Sequence, residues 1–224
     1  MYSIRTKILI IALFSLALLA TAFVLYSIAT TENYKRLRLD DIEKTVALET
    51  EKINKIIGEI ELGAMQVATG GLLFKKSQSN EVGETLLLEY LRGFPSATGC
   101  GFWFEPYAYN KDTFRAGMNA YFDKKKNRVC IDDSYIMDEY DSHNQIWYRE
   151  IFDGVKSPYQ VAWTRPYVDD TTYSFMTTAG AGIFDDSNRL IGISTVDWEI
   201  EKVIEKLSSI ELLASLSIIV NLRA

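Results

Sequence analysis

Histidine occurs once in the 224 residues, as His143, and cysteine twice, as Cys100 and Cys130. That scarcity excludes CxxC ribbons, HExxH zinc sites and any multi-histidine metal centre, and it leaves few routes to histidine-based nucleophilic catalysis. No GxSxG elbow or phosphate-binding glycine loop takes their place, so neither a cofactor nor an enzymatic activity is expected. An excess of positive charge is also lacking. With 30 acidic against 24 basic residues the formal charge is -6, and no basic run is dense enough to track a phosphate backbone, so nucleic acid is not an expected partner. The short Lys124-Lys125-Lys126 run follows Asp123 and precedes Asn127, which reads as a charged hairpin tip.

What is present begins with an uncharged run from Ile8 to Ile28. At about 1.5 Å per residue it spans a hydrocarbon core of about 30 Å. Arg5 and Lys7 precede it and Glu32 follows, a bias that keeps residues 1–7 in the cytoplasm and sends the rest across. The expectation is a single-pass protein of the cell (inner) membrane, with a transmembrane helix at 8–28 and an extracytoplasmic, periplasmic domain. The alternative is a cleaved signal peptide, because Ala20-Thr21-Ala22 has the small-x-small pattern of a processing site. Leu212 to Val220 is apolar but too short for a second span.

Residues 31–75 read as a long amphipathic stalk helix. Ile42, Val46, Ile53, Ile56, Ile57 and Ile60 recur at helical spacing, and Glu32/Arg36, Asp40/Lys44 and Glu51/Lys55 pair at i,i+4. Its seam either meets a second copy in a homodimer or lies on the domain's own sheet. Gly70-Gly71 and Ser77 to Asn80 predict interruptions, and 84–91 predicts a second helix. After Pro95, short aromatic and β-branched runs predict strands at 98–105, 114–122, 126–131, 160–166, 171–183 and 189–197. A helix at 144–154 and a closing helix at 198–209 complete the pattern. The fold class is α+β: a transmembrane helix, a stalk helix, and an antiparallel sheet with flanking helices.

Trp147-Tyr148, the segment Trp163 to Asp169, and the segment Ile193 to Asp197 each place aromatic or acidic groups at an element's edge. Together they suggest a small concave site with rigid apolar walls and carboxylates for an ammonium group. Equally, the tryptophans belong to the core while Asp169 and Asp197 cap a turn and the last helix. Cys100 and Cys130 either bridge or remain thiols, and His143 reads as an exposed residue at a helix entry. The acidic stretch Asp132, Asp133, Asp138 and Asp141 lacks EF-hand spacing and reads as a solvated loop.

Gly99 to Pro106, Trp147-Tyr148, Trp163 to Asp169 and Gly192 to Asp197, in that order behind a membrane helix and a stalk, resemble the double Cache family. These are the PAS-like extracytoplasmic sensor modules of bacterial chemoreceptors, sensor kinases and diguanylate cyclases. The resemblance implies a PAS-like sensor module at 76–209 and, at 210–224, an apolar tail that resembles the start of a truncated second module, leaving the membrane-distal module alone. It also implies a ligand set of Tyr140, Gln145, Trp147, Tyr148, Tyr167, Asp169 and Asp197. Gln145 stands where the amino-acid-binding branch has an arginine, and a neutral amide cannot make that side chain's bidentate carboxylate contact. The implied function is sensing of a small, amine-bearing molecule for chemotaxis or related signal transduction. The alternatives are a structural or vestigial membrane-anchored stalk protein and a secreted small-molecule-binding protein.

Overall fold

The computed structural model describes residues 4–208 except Asp133, Asp138, Glu139, Thr171, Lys202 and Lys206, with backbone alone for 6–12. The chain divides into two compact units, one holding the described residues through Glu51 and the other Lys52–Leu207. Helix α1, Ile4–Ser77, contributes to both. In the first unit its apolar side chains, among them Leu13, Phe14, Leu16 and Phe23, are exposed. Among the described residues this is the one helix long and apolar enough to cross a membrane.

In the second unit the same helix becomes a core element. Ile60, Ala64, Val67 and Phe74 are buried against the sheet, so that part of the stripe is covered by the domain itself. The expected break at Gly70-Gly71 does not occur: α1 continues to Ser77. Packing is the reason. A Cβ on Gly71 would lie 2.7 Å from Ile183, and one on Gly70 would lie 3.0 Å from Tyr90, so close approach offsets the roughly 1 kcal/mol that a helical glycine costs. Helix α2, Asn80–Gly93, then packs Leu87 and Leu91 into the same core.

The sheet comprises β1 Gly99–Phe104, β2 Ala116–Asp123, β3 Arg128–Asp132, β4 Val161–Trp163, β5 Tyr167–Val168, β6 Phe175–Phe184 and β7 Leu190–Glu199, with helix α3, Ile146–Gly154, inserted before β4. All pairings are antiparallel, in the order β3-β2-β1-β7-β6-β4, with β5 on a second stretch of β6. Period-two alternation divides its residues between two faces. One face turns Phe102, Phe104, Ala120, Ile183 and Val196 toward α1 and α2, where Ser194 Oγ also donates 2.7 Å to the Ala64 carbonyl. The other turns Trp103 and Ile193 toward Tyr148, Ile151 and Val155. Helix α3 covers part of this second face and leaves the end near Gly99 and Asp197 open.

Two expectations change at the ends of strands. The strand expected from 171 starts at Phe175, because Asp169 to Ser174 close a tight turn. Trp198 and Glu199 extend β7 rather than begin a helix, so Asp197 is a strand residue and not a helix cap. Helical backbone follows at Glu201, 203–205 and 207–208; Ser209 and the apolar stretch Leu212–Val220 lie outside the described residues. Cys100 and Cys130 are both free thiols, and their registers place them on opposite faces of the sheet.

Candidate functional site

Gly99 of β1 stands in register between Asp197 of β7 and Tyr121 of β2. A Cβ there would lie 2.5 Å from Asp197 Oδ2, so glycine is what lets the carboxylate lie over the sheet. Thr178, opposite Asp197 on β6, donates its hydroxyl proton to Asp197 Oδ1 at 2.7 Å. That commits the threonine proton, and the Tyr167 hydroxyl, 2.8 Å from Thr178 Oγ1, therefore donates to it. A relay Tyr167 to Thr178 to Asp197 results.

Asp197 keeps a partly exposed edge, yet protein surrounds it closely enough that desolvation governs its ionisation. Burial pushes the carboxyl up to about 6; the Thr178 hydrogen bond opposes the shift and the Asp169 charge adds to it. No cationic side chain pairs with it among the described residues. Burial likewise raises the Tyr167 hydroxyl, which stays protonated.

Asp169 has a structural task as well. Its Oδ2 accepts from the Thr172 amide and hydroxyl, both at 2.7 Å, and its backbone carbonyl accepts from Tyr173 N at 2.9 Å. This Asx-type turn holds Tyr173 at φ 56 with its side chain 82 % exposed. Asp169 Oδ1 faces the Tyr135 hydroxyl at 3.5 Å.

The aromatic wall is built on Trp103, which follows Gly99 and Gly101 on the same face of β1. Its Nε1 donates to Thr195 Oγ1 at 3.1 Å, and its ring packs on Trp147 and Tyr135 at centroid distances of 5.2 and 5.5 Å. These groups enclose a cleft of about 20 Å³ lined also by Asn119, Tyr167, Asp169 and Asp197. It adjoins a cavity of about 380 Å³, within the range of small-molecule sites, which shares Asn119, Tyr135, Asp169 and Asp197 and extends to Lys124 and Lys125.

Of the seven residues singled out from sequence, the structure brings together Trp147, Tyr167, Asp169 and Asp197. Tyr140 stands one layer behind, its hydroxyl accepting from Trp147 Nε1 at 3.4 Å. Gln145 precedes α3 as its N-cap residue and lines neither cavity. Tyr148 is buried elsewhere, donating to Glu105 Oε1 at 2.5 Å and stacked on Phe152. His143, expected exposed, is half-buried beside it, with Nε2 3.1 Å from the Phe104 carbonyl. Among the described residues no group of three or more metal-ligating side chains is placed to hold an ion.

Sequence reasoning missed Asn119, Tyr135 and Thr178, and left Trp103 and Thr195 out of the ligand set although both lie in segments it singled out. A signal existed for Asn119 and Thr195: each is a polar residue inside an apolar strand, in phase with Gly99 or Asp197. None existed for Tyr135, which a short 3-10 turn, Ser134–Ile136, folds back over the sheet.

Residues 84–205 match the family model of the methyl-accepting chemotaxis protein-like first PDC sensor domain. Nothing among the curated proteins matches. Similar solved structures include a methyl-accepting chemotaxis protein X, with a TM-score of 0.58 and 20% identity over 76% of this chain and 65% of that one. The extracellular domain of a protein described as a histidine kinase follows at 0.56 and 18%, over 75% and 65%. The periplasmic sensory domain of the Campylobacter jejuni chemoreceptor Tlp1 gives 0.53 and 13%, over 70% and 59%. At these identities the likeness is one of fold, and the chain spans just under two thirds of the length of these structures.

Proposed function

Since the chain belongs to the methyl-accepting chemotaxis protein-like family of first PDC sensor domains, we propose that it is the extracytoplasmic sensor of a membrane receptor and binds a small amine-bearing molecule against Asp197. The apolar beginning of α1 is the anchor in this reading, holding the sensor unit on the far side of the membrane. The observation that carries the ligand class is the Asp197 carboxylate, desolvated, without a cationic partner among the described residues, and placed where the aromatic cleft of Trp103, Tyr135 and Trp147 adjoins the 380 Å³ cavity. A buried carboxylate in that state is costly until a cation reaches it. Aromatic faces add attraction for the same charge. Asp169 supplies a second negative group, and the Tyr167–Thr178 relay fixes the orientation of Asp197 Oδ1.

The test is titration calorimetry of primary amines on the full chain in detergent, wild type against Asp197→Ala. Removing the carboxylate should weaken amine binding by about 2 to 5 kcal/mol, roughly 30-fold to several-thousand-fold. Equal affinity in a variant that remains folded sinks the assignment, as does a wild type that binds no amine.

A further inference from the structure

The 380 Å³ cavity carries carboxylates alone at one end and lysines at the other. At about 30 Å³ per water it holds about a dozen, more space than an ammonium group and its first carbons fill. One end carries Asp169 and Asp197. The other is the hairpin between β2 and β3, where Lys124 and Lys125 line the wall beside Asp123, whose own charge is met by Lys126 at 3.0 Å. Asp123 Oδ1 accepts from the Lys125 and Lys126 amides at 2.9 and 3.0 Å, which fixes the hairpin tip. Lys124 Nζ reaches back to Glu199 Oε1 at 2.5 Å. The ammonium of Lys125, exposed at the rim, meets no carboxylate among the described residues.

Register gives the scale. Glu199 follows Asp197 by two residues on β7 and so shares its face, about 7 Å further along the strand. The Lys124 ammonium bound to Glu199 is therefore displaced from the Asp197 carboxylate by roughly that length. Among the described residues that line the cavity, no cation other than Lys124 and Lys125 is present, and Gln145 lies outside it and carries no charge. An α-amino acid with its ammonium on Asp197 would leave its carboxylate beside two acids without a counter-charge, which is costly in a desolvated site.

Resting on the amine reading of Asp197, we propose that the cavity selects a linear zwitterion, its ammonium at Asp197 and Asp169 and its carboxylate at Lys125 and Lys124, with the two charges about 7 Å apart, the reach of two extended residues. Two sources share this chemistry: an unbranched ω-amino acid and an unsubstituted dipeptide.

Calorimetry on the full chain in detergent, with pentylamine, glycine, ε-aminocaproate, glycylglycine and cadaverine, decides it. Either ε-aminocaproate or glycylglycine should bind at least about threefold to tenfold more tightly than pentylamine, the gain expected of a rim ion pair, and glycine should bind more weakly than both. The tighter of the two identifies the source. Lys125→Glu should reverse the order, making cadaverine tighter than ε-aminocaproate, since the rim then attracts a second ammonium. Cadaverine binding tightest to the wild type, or an order that Lys125→Glu leaves unmoved, overturns the zwitterion proposal while the amine reading stands. If none of the amines binds, pentylamine included, the amine reading fails with it.

Discussion

The two faces of one sheet carry different burdens although the same strands build both. On the face toward α1 and α2, Phe102, Phe104, Ile183 and Val196 are fully or nearly fully buried among apolar neighbours. On the other, Gly99, Asn119 and Asp197 line a cavity, with buried Thr178 bonded to Asp197 from β6. Alternation lets neighbouring residues such as Val196 and Asp197 serve opposite ends. The closed face supplies stability in surplus, and the open face spends part of it on a desolvated carboxylate, an arrangement typical of functional sites.

The largest expected effect belongs to the closed face. Phe102→Ala removes a side chain with no exposed surface and should cost about 3 to 5 kcal/mol of stability, read as a fall in denaturation midpoint. A loss below about 1 kcal/mol would mean that this face is not the core that the comparison requires.

Next comes Asp197, where the sign reverses. Its carboxyl is raised from 3.8 to about 6, so the folded state holds a proton that the unfolded state has released between about pH 4 and pH 6. Stability contributed by this group is therefore present below about pH 4 and lost as pH rises through 6. Above that the charged group costs about 2 to 3 kcal/mol. Asp197→Asn should stabilise the ligand-free protein by up to about that amount at pH 7 and flatten the decline between pH 4 and 6. Amine binding should follow the opposite course, weakening as pH falls through about 6. A variant less stable than wild type at pH 7 would place Asp197 among the stabilising residues instead.

Gly99→Ala tests whether the site depends on the flat floor beneath Asp197. The added methyl would meet Oδ2 at 2.5 Å, so the carboxylate must shift from the position in which Thr178 holds it. We expect about 1 to 3 kcal/mol of lost affinity, the usual scale for overpacking. Unchanged amine affinity by calorimetry would show that the carboxylate has room to move without consequence.

Much of this layout is legible in the sequence, and what is not has identifiable causes. The α+β order, the apolar run and most strands follow from period and composition. The turn between the strands expected at 171–183 and 189–197 does too, since Asp185-Asp186-Ser187-Asn188 are turn-forming residues: Asp185 Oδ1 accepts from the Ser187 and Arg189 amides and Asn188 sits at φ 60. Gly70-Gly71 misled because glycine marks a break in isolation and a close approach in context; only Ile183 and Tyr90, distant in sequence, decide which. Tyr135 could not be read at all, because its place over the sheet depends on a turn without periodicity. Gln145 and Tyr148 belong to the ligand set that the double Cache resemblance implies, and a resemblance in sequence does not say which way a helix faces.

Tyr148 gives the smallest and sharpest prediction, because it adjoins Trp147 on α3 and differs only in direction. One residue turns a helix by about 100°, which sends Trp147 to the cavity wall and Tyr148 to the buried cluster with Glu105 and Phe152. Burial raises its hydroxyl, which stays protonated and donates to Glu105. Tyr148→Phe removes that donor, but the Glu105 side chain remains 34% exposed, so water replaces the bond and the cost should be only about 1 kcal/mol of stability. Amine affinity should stay within about twofold of wild type, whereas Trp147→Ala, which opens the wall itself, should lose about tenfold or more. Thermal unfolding and calorimetry on the pair separate the roles. If Tyr148→Phe weakens binding as much as Trp147→Ala, the site reaches through α3 to Glu105, and the division between cavity wall and buried cluster on this face has been drawn in the wrong place.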